Sequence, residues 1–489
     1  MIFENNQHDR DDLTSVRESE DSDIPSFNVV FINPYELGRQ PFALAEPGAW
    51  LNKEGFRVDC LDLSLQKLDP VILVNAGMIA IYIGMHTATR IAVEALPRIR
   101  NMAPDAHLCV YGLYAPMNAD YLRELGVQSI FGGECEPELL ALARQLRTSG
   151  EIPVQTDTVV NLSKIDFIVP DRSLLPALKH YAHLNMPDGS VKVVGFAEGT
   201  RGCKHLCTHC PVVPVYKGKF RVISVDIVMA DIRQQVVSGA QHISFGDPDF
   251  LNGPGHAMKI VRALHDEFPE LTYDATIKIQ HLINHADLLP ELKQTGCLFI
   301  IAAVEAVDDE ILDYLEKNHT CADFIKAVAL VKESGIALSP TFVPFTPWTT
   351  LEAYLELLEQ LVNLELVESI APIQLSIRLL IPQGSYMLNI PGFTDLIKSF
   401  DQKILGYPWM NPDPHVDQLQ TNIQTWIAEA EQQSLSRYVI FNKIWQMAHE
   451  ALGRTAPELS KEVLGPMIPH MSEPWYCCAE PTDQQLKGF

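Results

Sequence analysis

Three cysteines with the spacing CxxxCxxC are the strongest chemical signal in this chain. They are Cys203, Cys207 and Cys210. Three thiolates this close in sequence can converge on one metal centre if the chain forms a tight loop, and Gly199 and Gly202 supply flexibility at its entrance. A [4Fe-4S] cluster usually takes four cysteines, so three leave one iron open to another ligand. A closed zinc site that adds His205 or His209 is the alternative, although zinc sites favour paired CxxC modules.

A second thiol pair, Cys477 and Cys478, lies in the segment WYCCAEP at residues 475–481. Extended backbone points neighbouring side chains apart, and a disulfide between adjacent residues is strained and easily reduced. Two soft thiolates suit a soft metal, a metalloid or thiol exchange. We therefore predict a catalytic role for both cysteines, with an incidental pair as the alternative.

The three-cysteine motif follows the first strand of a predicted barrel. Strand-like runs alternate with helical patterns between residues 189 and 382, which is typical of a partial (β/α)6 TIM-type barrel. The predicted strands cover residues 191–197, 242–247, 271–277, 297–305, 336–343 and 373–381. The functional residues of such barrels gather on loops at the carboxyl ends of the strands.

A separate α/β domain precedes the barrel. Short β-branched runs again alternate with helical patterns, which predicts a doubly wound, Rossmann-like sheet. The runs cover residues 28–33, 57–62, 79–84, 107–112 and 128–133. Ligands of such sheets bind at the carboxyl ends of the strands, and three of the four ends that we singled out carry glycine.

The whole chain is thus predicted to be α/β with a helical C-terminal extension. The predicted segments are a disordered acidic tail (1–25), the Rossmann-like domain (26–150), a connector (151–188), the barrel (189–400) and the extension (401–489). The extension contains a predicted long helix at about 418–451 and the two-cysteine tail.

Composition narrows the class of substrate. The formal net charge is −25, and this field repels a phosphate backbone, which disfavours nucleic acid and favours a small molecule or a peptide. No apolar run approaches the roughly 18 residues that span a bilayer, and the acidic N-terminus lacks a secretory signal. We expect a cytoplasmic enzyme without a membrane partner.

The segment GCKHLCTHC at residues 202–210, placed after the first strand of a six-unit barrel, resembles the radical S-adenosylmethionine (SAM) signature. The resemblance covers roughly residues 190–385. It implies that the open iron of a [4Fe-4S] cluster chelates SAM and that one electron cleaves a carbon–sulfur bond, usually giving an adenosyl radical. It also implies an electron donor such as flavodoxin or ferredoxin.

The same resemblance assigns further cofactor-binding residues. Gly246 and Asp247 close the second predicted strand, where the family contacts the amino group of SAM. Glu305 resembles the acidic residue that contacts ribose, and Arg378 lies near the position of the adenine pocket. The alternatives are a solvated turn for Asp247, a rim carboxylate for Glu305 and a structural ion pair for Arg378.

The order of the two α/β domains resembles the cobalamin-dependent radical SAM subfamily. The resemblance implies cobalamin contacts at His86 and at Gly133, the latter in the turn GGECE at residues 132–136. The chain departs from the subfamily because it has no Asp-x-His-x-x-Gly motif to ligate cobalt. Cobalamin binding and a degenerate packing domain therefore both stay open.

The tail resembles that of the CUAEP/CCAEP-tail radical SAM proteins. Some members carry selenocysteine at one of the two cysteine positions, which implies redox or soft-ligand chemistry. Radical methyl transfer, rearrangement and carbon–heteroatom bond formation all remain candidate reactions. A methylthiotransferase and an iron–sulfur redox sensor, with the tail thiols as its switch, are the competing interpretations.

Overall fold

The computed structural model describes residues 27–149, 157–460 and 464–473. The predicted acidic tail (1–25) and the pair formed by Cys477 and Cys478 lie outside the described residues. Within the described part of the chain, no helix is both long and apolar enough to cross a lipid bilayer.

The first domain is a doubly wound sheet of six parallel strands in the order β2-β1-β3-β4-β5-β6. The strands are β1 (Asn28–Asn33), β2 (Arg57–Asp62), β3 (Ala76–Tyr82), β4 (His107–Tyr111), β5 (Ser129–Gly133) and β6 (Val159–Asn161). The helices are α1 (Phe42–Lys53), α2 (Pro70–Leu73), α3 (His86–Met102), α4 (Ala119–Glu124) and α5 (Glu136–Ser149). Side chains of α3 pack on one face, and those of α1 and α5 pack on the other. The central strands are apolar on both sides because helices cover both faces.

The second sheet is a half-barrel with the strand order β14-β13-β12-β11-β8-β7-β15. Its strands are β7 (His183–Asn185), β8 (Val191–Ala197), β11 (His242–Phe245), β12 (Thr272–Thr276), β13 (Cys297–Glu305), β14 (Ala337–Phe342) and β15 (His470–Met471). The strands from β8 to β14 are parallel, and β7 and β15 extend the sheet in antiparallel pairing. A small antiparallel ladder, β9 (Thr200–Gly202) with β10 (Phe220–Val222), brackets the cysteine segment.

Helices cover the outside of the half-barrel and form one large apolar core with it. They are α7 (Val225–Val237), α8 (Pro254–Glu267), α9 (Ile279–Asn284), α10 (Leu289–Gln294), α12 (Cys321–Glu333), α13 (Leu351–Asn363), α14 (Pro414–Gln432) and α15 (Arg437–Ala451). Two short helices lie elsewhere: α6 (Val212–Tyr216) follows the cysteine segment, and α11 (Asp309–Tyr314) packs in a smaller apolar cluster. Parallel strands followed by helices bring the carboxyl ends of β8, β11, β12 and β13 to one rim of the barrel.

The prediction of a sixth barrel strand at residues 373–381 is wrong. Pro372–Leu375 form a turn of 3-10 helix, and in place of a strand an isolated bridge joins Arg378 to Phe345. The side-chain oxygen of Gln374 accepts a hydrogen bond from the Phe342 N–H (3.1 Å), so a side chain takes the ladder position next to β14. An apolar run alone does not distinguish these conformations.

Two other predicted segments are more structured than expected. The connector contributes β6 to the first sheet and β7 to the second. The long helix predicted at about 418–451 is two helices, because Ser434 adopts a left-handed φ of 53° and Ser436 caps α15 with its hydroxyl.

The last described residues return to the first domain. Strand β15 pairs with β7, and the Ser472 N–H donates to the His183 carbonyl at 2.8 Å. The Tyr35 hydroxyl then donates to the Glu473 carboxylate, which joins the C-terminal segment to the loop after β1.

Candidate functional site

The cysteine segment begins where β8 and β9 end, at the carboxyl edge of the barrel. Gly202 has a φ of +76°, and a Cβ there would lie 2.6 Å from the Lys219 carbonyl oxygen, so only glycine fits this turn. Of the three thiols, two are buried and one is half-buried, and all are free of disulfides. One cavity of about 240 Å3, which we call the cluster cavity, is lined by Cys203, Cys207 and Cys210.

Polar groups from two other strand ends reach these sulfur atoms. Lys278, directly after β12, places its Nζ 3.3 Å from the Cys207 Sγ. Asn252, after β11, has its Oδ1 3.7 Å from the Cys203 Sγ. Burial raises the pKa of the Cys203 thiol, and a nearby ammonium or bound metal favours the thiolate. Three thiols that face one cavity beside a lysine fit a cluster that the protein anchors through three irons.

Neither histidine of the zinc alternative turns to the thiols. His205 Nε2 lies 3.5 Å from the Asp249 carboxylate, and His209 Nε2 lies 3.4 Å from the Glu305 carboxylate. A closed zinc site would need one of these nitrogens as its fourth ligand, so the geometry favours the three-thiolate cluster.

Gly246 and Asp247 line the cluster cavity, as the sequence predicts. Asp247 is buried, and its two carboxylate oxygens accept hydrogen bonds from the Gly199 N–H (2.9 Å) and the Thr200 hydroxyl (2.6 Å). Burial raises the pKa of Asp247 to about 7. The carboxylate therefore also fixes the residues that lead into the cysteine segment.

Glu305 ends β13 and lines the same cavity. Its backbone φ of 74° is unusual for a residue other than glycine, and such strain often marks functional sites. The Lys317 Nζ lies 3.0 Å from the Glu305 carboxylate. Burial opposes ionisation, but the positive charge of Lys317 and the hydrogen bond from His209 outweigh it and hold the pKa of Glu305 well below its usual range. Glu305 is thus an ionised acid on the cavity wall.

Arg378 does not reach this cavity. Its guanidinium binds the Asp417 carboxylate at 2.5 Å and the Trp409 carbonyl at 2.6 Å, and it stacks 3.6 Å from the centre of the Trp409 ring. It lines a separate cavity of about 270 Å3 beside α14. Because the sixth strand is absent, the backbone does not carry Arg378 to the rim, and the structural ion pair considered for it is what the structure contains.

An ionic cluster between the domains has no counterpart in the sequence prediction. Arg201, in β9, lies 3.0 Å from Glu198, 3.2 Å from Glu46 and 3.4 Å from Glu134, and it also binds Glu136. Three of the four acids belong to the first domain, so one guanidinium joins the two domains. The members are separated by up to 155 positions, and spacing alone could not reveal them.

The charges of this cluster are unequal. Burial opposes the charge on Arg201, but the surrounding carboxylates outweigh it and hold its pKa well above its usual range. Burial raises the pKa of Glu134 to about 7 and raises that of Glu46 as well. The cluster therefore takes up protons near neutral pH while it keeps its arginine charged.

The candidate cobalamin residues lie at the edge of the first sheet. Gly133 lines a second cavity of about 240 Å3, the interdomain cavity. A Cβ on Gly133 would lie 2.1 Å from the Asn161 carbonyl oxygen, so close packing of β5 on β6 already accounts for this glycine. His86 is buried and its Nε2 lies 2.7 Å from the Ile404 carbonyl oxygen, away from the cavity lining. Burial lowers the pKa of His86 to about 4.

Among the described residues that line the interdomain cavity, none is a histidine. The donor set there does not fit a cobalt that takes a histidine ligand from the protein. This agrees with the missing Asp-x-His-x-x-Gly motif.

The three thiols lie in the part of the chain that matches a known family. Residues 198–361 match the Radical SAM superfamily. The hopanoid C-3 methylase of Methylococcus capsulatus is 23% identical over 269 residues, which is 52% of this chain and 50% of the methylase. This chain thus spans about half the length of that curated relative.

Two solved structures share the fold. The Kitasatospora setae radical SAM methyltransferase TsrM, solved with tryptophan and a SAM analogue, gives a TM-score of 0.56 at 18% identity, covering 70% of this chain and 72% of TsrM. The cobalamin-dependent radical SAM enzyme OxsB gives a TM-score of 0.63 at 16% identity, covering 83% of this chain and 67% of OxsB. The predicted arrangement of a Rossmann-like domain, a barrel and a helical C-terminal region is confirmed.

Proposed function

We propose that this chain, which contains a radical SAM domain, is an enzyme that cleaves SAM reductively on a [4Fe-4S] cluster and uses the product for radical chemistry. Cys203, Cys207 and Cys210 would hold three irons of the cluster. The cluster would supply one electron and an open iron for the amino and carboxylate groups of SAM.

One observation carries this proposal: three thiols share a cavity with an ionised acid at the rim of a parallel barrel. The cavity wall carries Lys278 and Lys317 beside the thiols, and these cations favour thiolates over thiols. Glu305 faces the same space and offers a carboxylate to ribose hydroxyls or to a positive charge. A sensor that needed only a cluster would have no use for this second wall.

The test is anaerobic reconstitution followed by reduction in the presence of SAM. We expect about four irons per chain and 5′-deoxyadenosine as the product of reductive cleavage, with S-adenosylhomocysteine beside it if a methyl group is also transferred. The first product indicates hydrogen abstraction and the second indicates methyl transfer. A cluster whose EPR signal ignores SAM, with neither product formed, would leave the redox sensor as the better interpretation.

Methyl transfer to a small molecule or a peptide is our preferred reaction. The named relatives support it, because one is a hopanoid methylase and another is a methyltransferase solved with tryptophan. The net charge of −25 also argues against an RNA substrate. Reaction in a reducing compartment such as the cytoplasm, with flavodoxin or ferredoxin as the electron donor, completes this proposal.

For cobalamin we propose binding in the interdomain cavity without a histidine ligand. The fold shared with OxsB supports binding, and the cavity lining supports the absence of an imidazole. Reduced cobalamin added to the protein should therefore show no nitrogen coupling from the protein in its EPR spectrum, and His86→Ala should bind it equally well. Nitrogen coupling that disappears in His86→Ala would contradict this assignment.

We further propose that Cys477 and Cys478 act at the interdomain cavity. Both lie outside the described residues, but Glu473 is fixed against Tyr35 and beside Gly38, in the loop that also contributes to the cavity wall. Glu473 precedes Cys477 by four residues and Cys478 by five in the sequence, and this closeness supports the proposal. A double Cys→Ser variant should retain SAM cleavage without substrate and lose product formation with substrate. Full turnover in that variant would refute the role.

A further inference from the structure

A group of three metal-ligand side chains lies beside the cluster cavity and is separate from the three thiols. It consists of His205 from the cysteine segment, Asp249 from the loop after β11 and His281 from α9. One ligand atom from each lies within 4.8 Å of the other two. The side chain of Asp249 is fully buried, and those of His281 and His205 are 4% and 13% exposed. Three separate strand ends thus deliver the three groups to one buried point.

The contacts within this group are close, and both converge on one carboxylate oxygen. The His281 Nδ1 lies 2.7 Å and the His205 Nε2 lies 3.5 Å from the same Asp249 Oδ2. All three atoms are buried, and none of them makes a well-directed hydrogen bond. Buried polar atoms in proteins are almost always satisfied, so three converging unsatisfied atoms require an explanation.

A bound metal ion explains the geometry. Metal–nitrogen and metal–oxygen bonds of 2.0 to 2.2 Å place neighbouring ligand atoms roughly 3.0 to 3.4 Å apart, and the two measured separations bracket this range. The other carboxylate oxygen of Asp249, Oδ1, accepts the Lys278 N–H at 3.3 Å, which leaves Oδ2 directed into the group. Such outer hydrogen bonds are typical of carboxylate ligands.

The surrounding charges are compatible with a divalent cation. Lys278 is the nearest ammonium, but its Nζ turns to the Cys207 sulfur. The Asp249 carboxylate supplies one negative charge, and two imidazoles select transition metals over magnesium or calcium, which prefer oxygen ligands.

We propose that His205 Nε2, Asp249 Oδ2 and His281 Nδ1 form a mononuclear site for a divalent transition-metal ion of the zinc class. The site is separate from the cluster and uses none of its cysteines. Because His205 lies between Cys203 and Cys207, an ion bound here fixes the cysteine segment to the second and third strand ends of the barrel. The ion thus adds a cross-link to the cysteine segment without being part of the cluster.

The test uses the full chain with its cluster reconstituted under anaerobic conditions, so that iron occupies the thiols before zinc is added. Zinc and iron per chain are measured after equilibrium dialysis against Zn2+. We expect about one zinc in addition to about four irons. In Asp249→Asn and His281→Gln, zinc affinity should fall at least about a hundredfold, since each variant removes one ligand of a three-ligand site.

His285→Gln is the matched control, because His285 lies on the turn after α9 and its ring contacts that of His281 at 5.7 Å without belonging to the group. It should bind zinc like the parent protein. A circular dichroism spectrum and an iron content equal to those of the parent would show that the two test variants are folded.

A second probe identifies the ligands. With the cluster oxidised and EPR-silent, Co2+ bound to the protein should show coupling to two imidazole nitrogens in pulsed EPR, and His281→Gln should remove one coupling or all Co2+ binding. The proposal is overturned if the cluster-loaded parent binds no zinc, if both variants bind it unchanged, or if Co2+ shows sulfur-to-metal charge transfer instead of nitrogen coupling.

Discussion

The two sheets place very different side chains at equivalent positions. At the carboxyl edge of the first sheet, Glu134 and Glu136 pair with Arg201, so charges are satisfied within the protein. At the carboxyl edge of the barrel, Cys203 and Cys207 are free thiols beside a cavity. A fold thus predicts where ligands can bind. Whether the donor atoms are already paired within the protein decides where ligands do bind. We propose the barrel edge as the reactive site, while the salt-bridged edge of the first sheet, which we call the docking surface, joins the two domains.

The largest effect should come from removing a thiol at the barrel edge. Cys207→Ala should lower iron from about four per chain to less than about one, because two thiolates do not hold the cluster. SAM cleavage should fall at least about a hundredfold. Cys321→Ala, which removes a half-buried thiol at the start of α12, should change neither value. Iron analysis and chromatography of the nucleoside product make the comparison.

A mutation at the docking surface should change the stability of the protein. Arg201→Met leaves four carboxylates without their shared partner and should reduce the free energy of unfolding by about 3 to 5 kcal/mol. Arg262→Met, which breaks the exposed pair with Glu291, should leave the free energy of unfolding nearly unchanged. Denaturant unfolding at neutral pH measures both. Equal losses in the two variants would show that the cluster does not join the domains.

The pH dependence of stability should reflect the protonation of Glu134, which belongs to the same surface. The pKa of Glu134 is raised from 4.5 to about 7, so the folded state binds a proton that the unfolded state releases. The resulting stabilisation is complete below pH 4.5 and is lost as the pH rises through 7. Glu134→Gln should therefore remove about 2 to 3 kcal/mol of the decline in unfolding free energy between these pH values. If the slope of unfolding free energy against pH did not change, a residue other than Glu134 would bind this proton.

The smallest effect should be on SAM affinity. Glu305→Gln leaves the Lys317 cation unpaired beside the space proposed for a sulfonium, and should weaken SAM binding about tenfold, or about 1.4 kcal/mol. The control is Glu365→Gln, because Glu365 also has a positive φ, of 57°, and pairs with an exposed lysine, Lys332. Isothermal titration of the cluster-loaded proteins gives the affinities. Equal binding in both variants would remove Glu305 from the site.

Local patterns predicted much of the scaffold. The strands Asn28–Asn33, Val191–Ala197 and Cys297–Glu305 begin and end where the sequence predicts, because buried parallel strands are short β-branched runs bounded by turns. The strand predicted at residues 373–381 was wrong because an apolar run can also adopt other conformations. Whether such a run pairs depends on neighbours such as Gln374 that are distant in sequence.

Some residues of the candidate site could likewise be predicted from the sequence, and others could not. The three cysteines were predictable because one loop contains them all. The partners of Arg201 lie in α1 and at the start of α5, and the group of His205, Asp249 and His281 comes from three strand ends. Topology, and not spacing, creates these sets. The available signal was that polar residues follow several strands at the same rim of the barrel.

The anchor between Tyr35 and Glu473 links positions that are 438 residues apart. A growing polypeptide leaves the ribosome from its amino terminus, and the first domain can fold well before this partner has been synthesised. The loop that includes Glu36 and Arg39, part of the wall of the interdomain cavity, therefore gains this support only after residue 473 has been synthesised. A chain that stops before Glu473 would fold its first domain without this support.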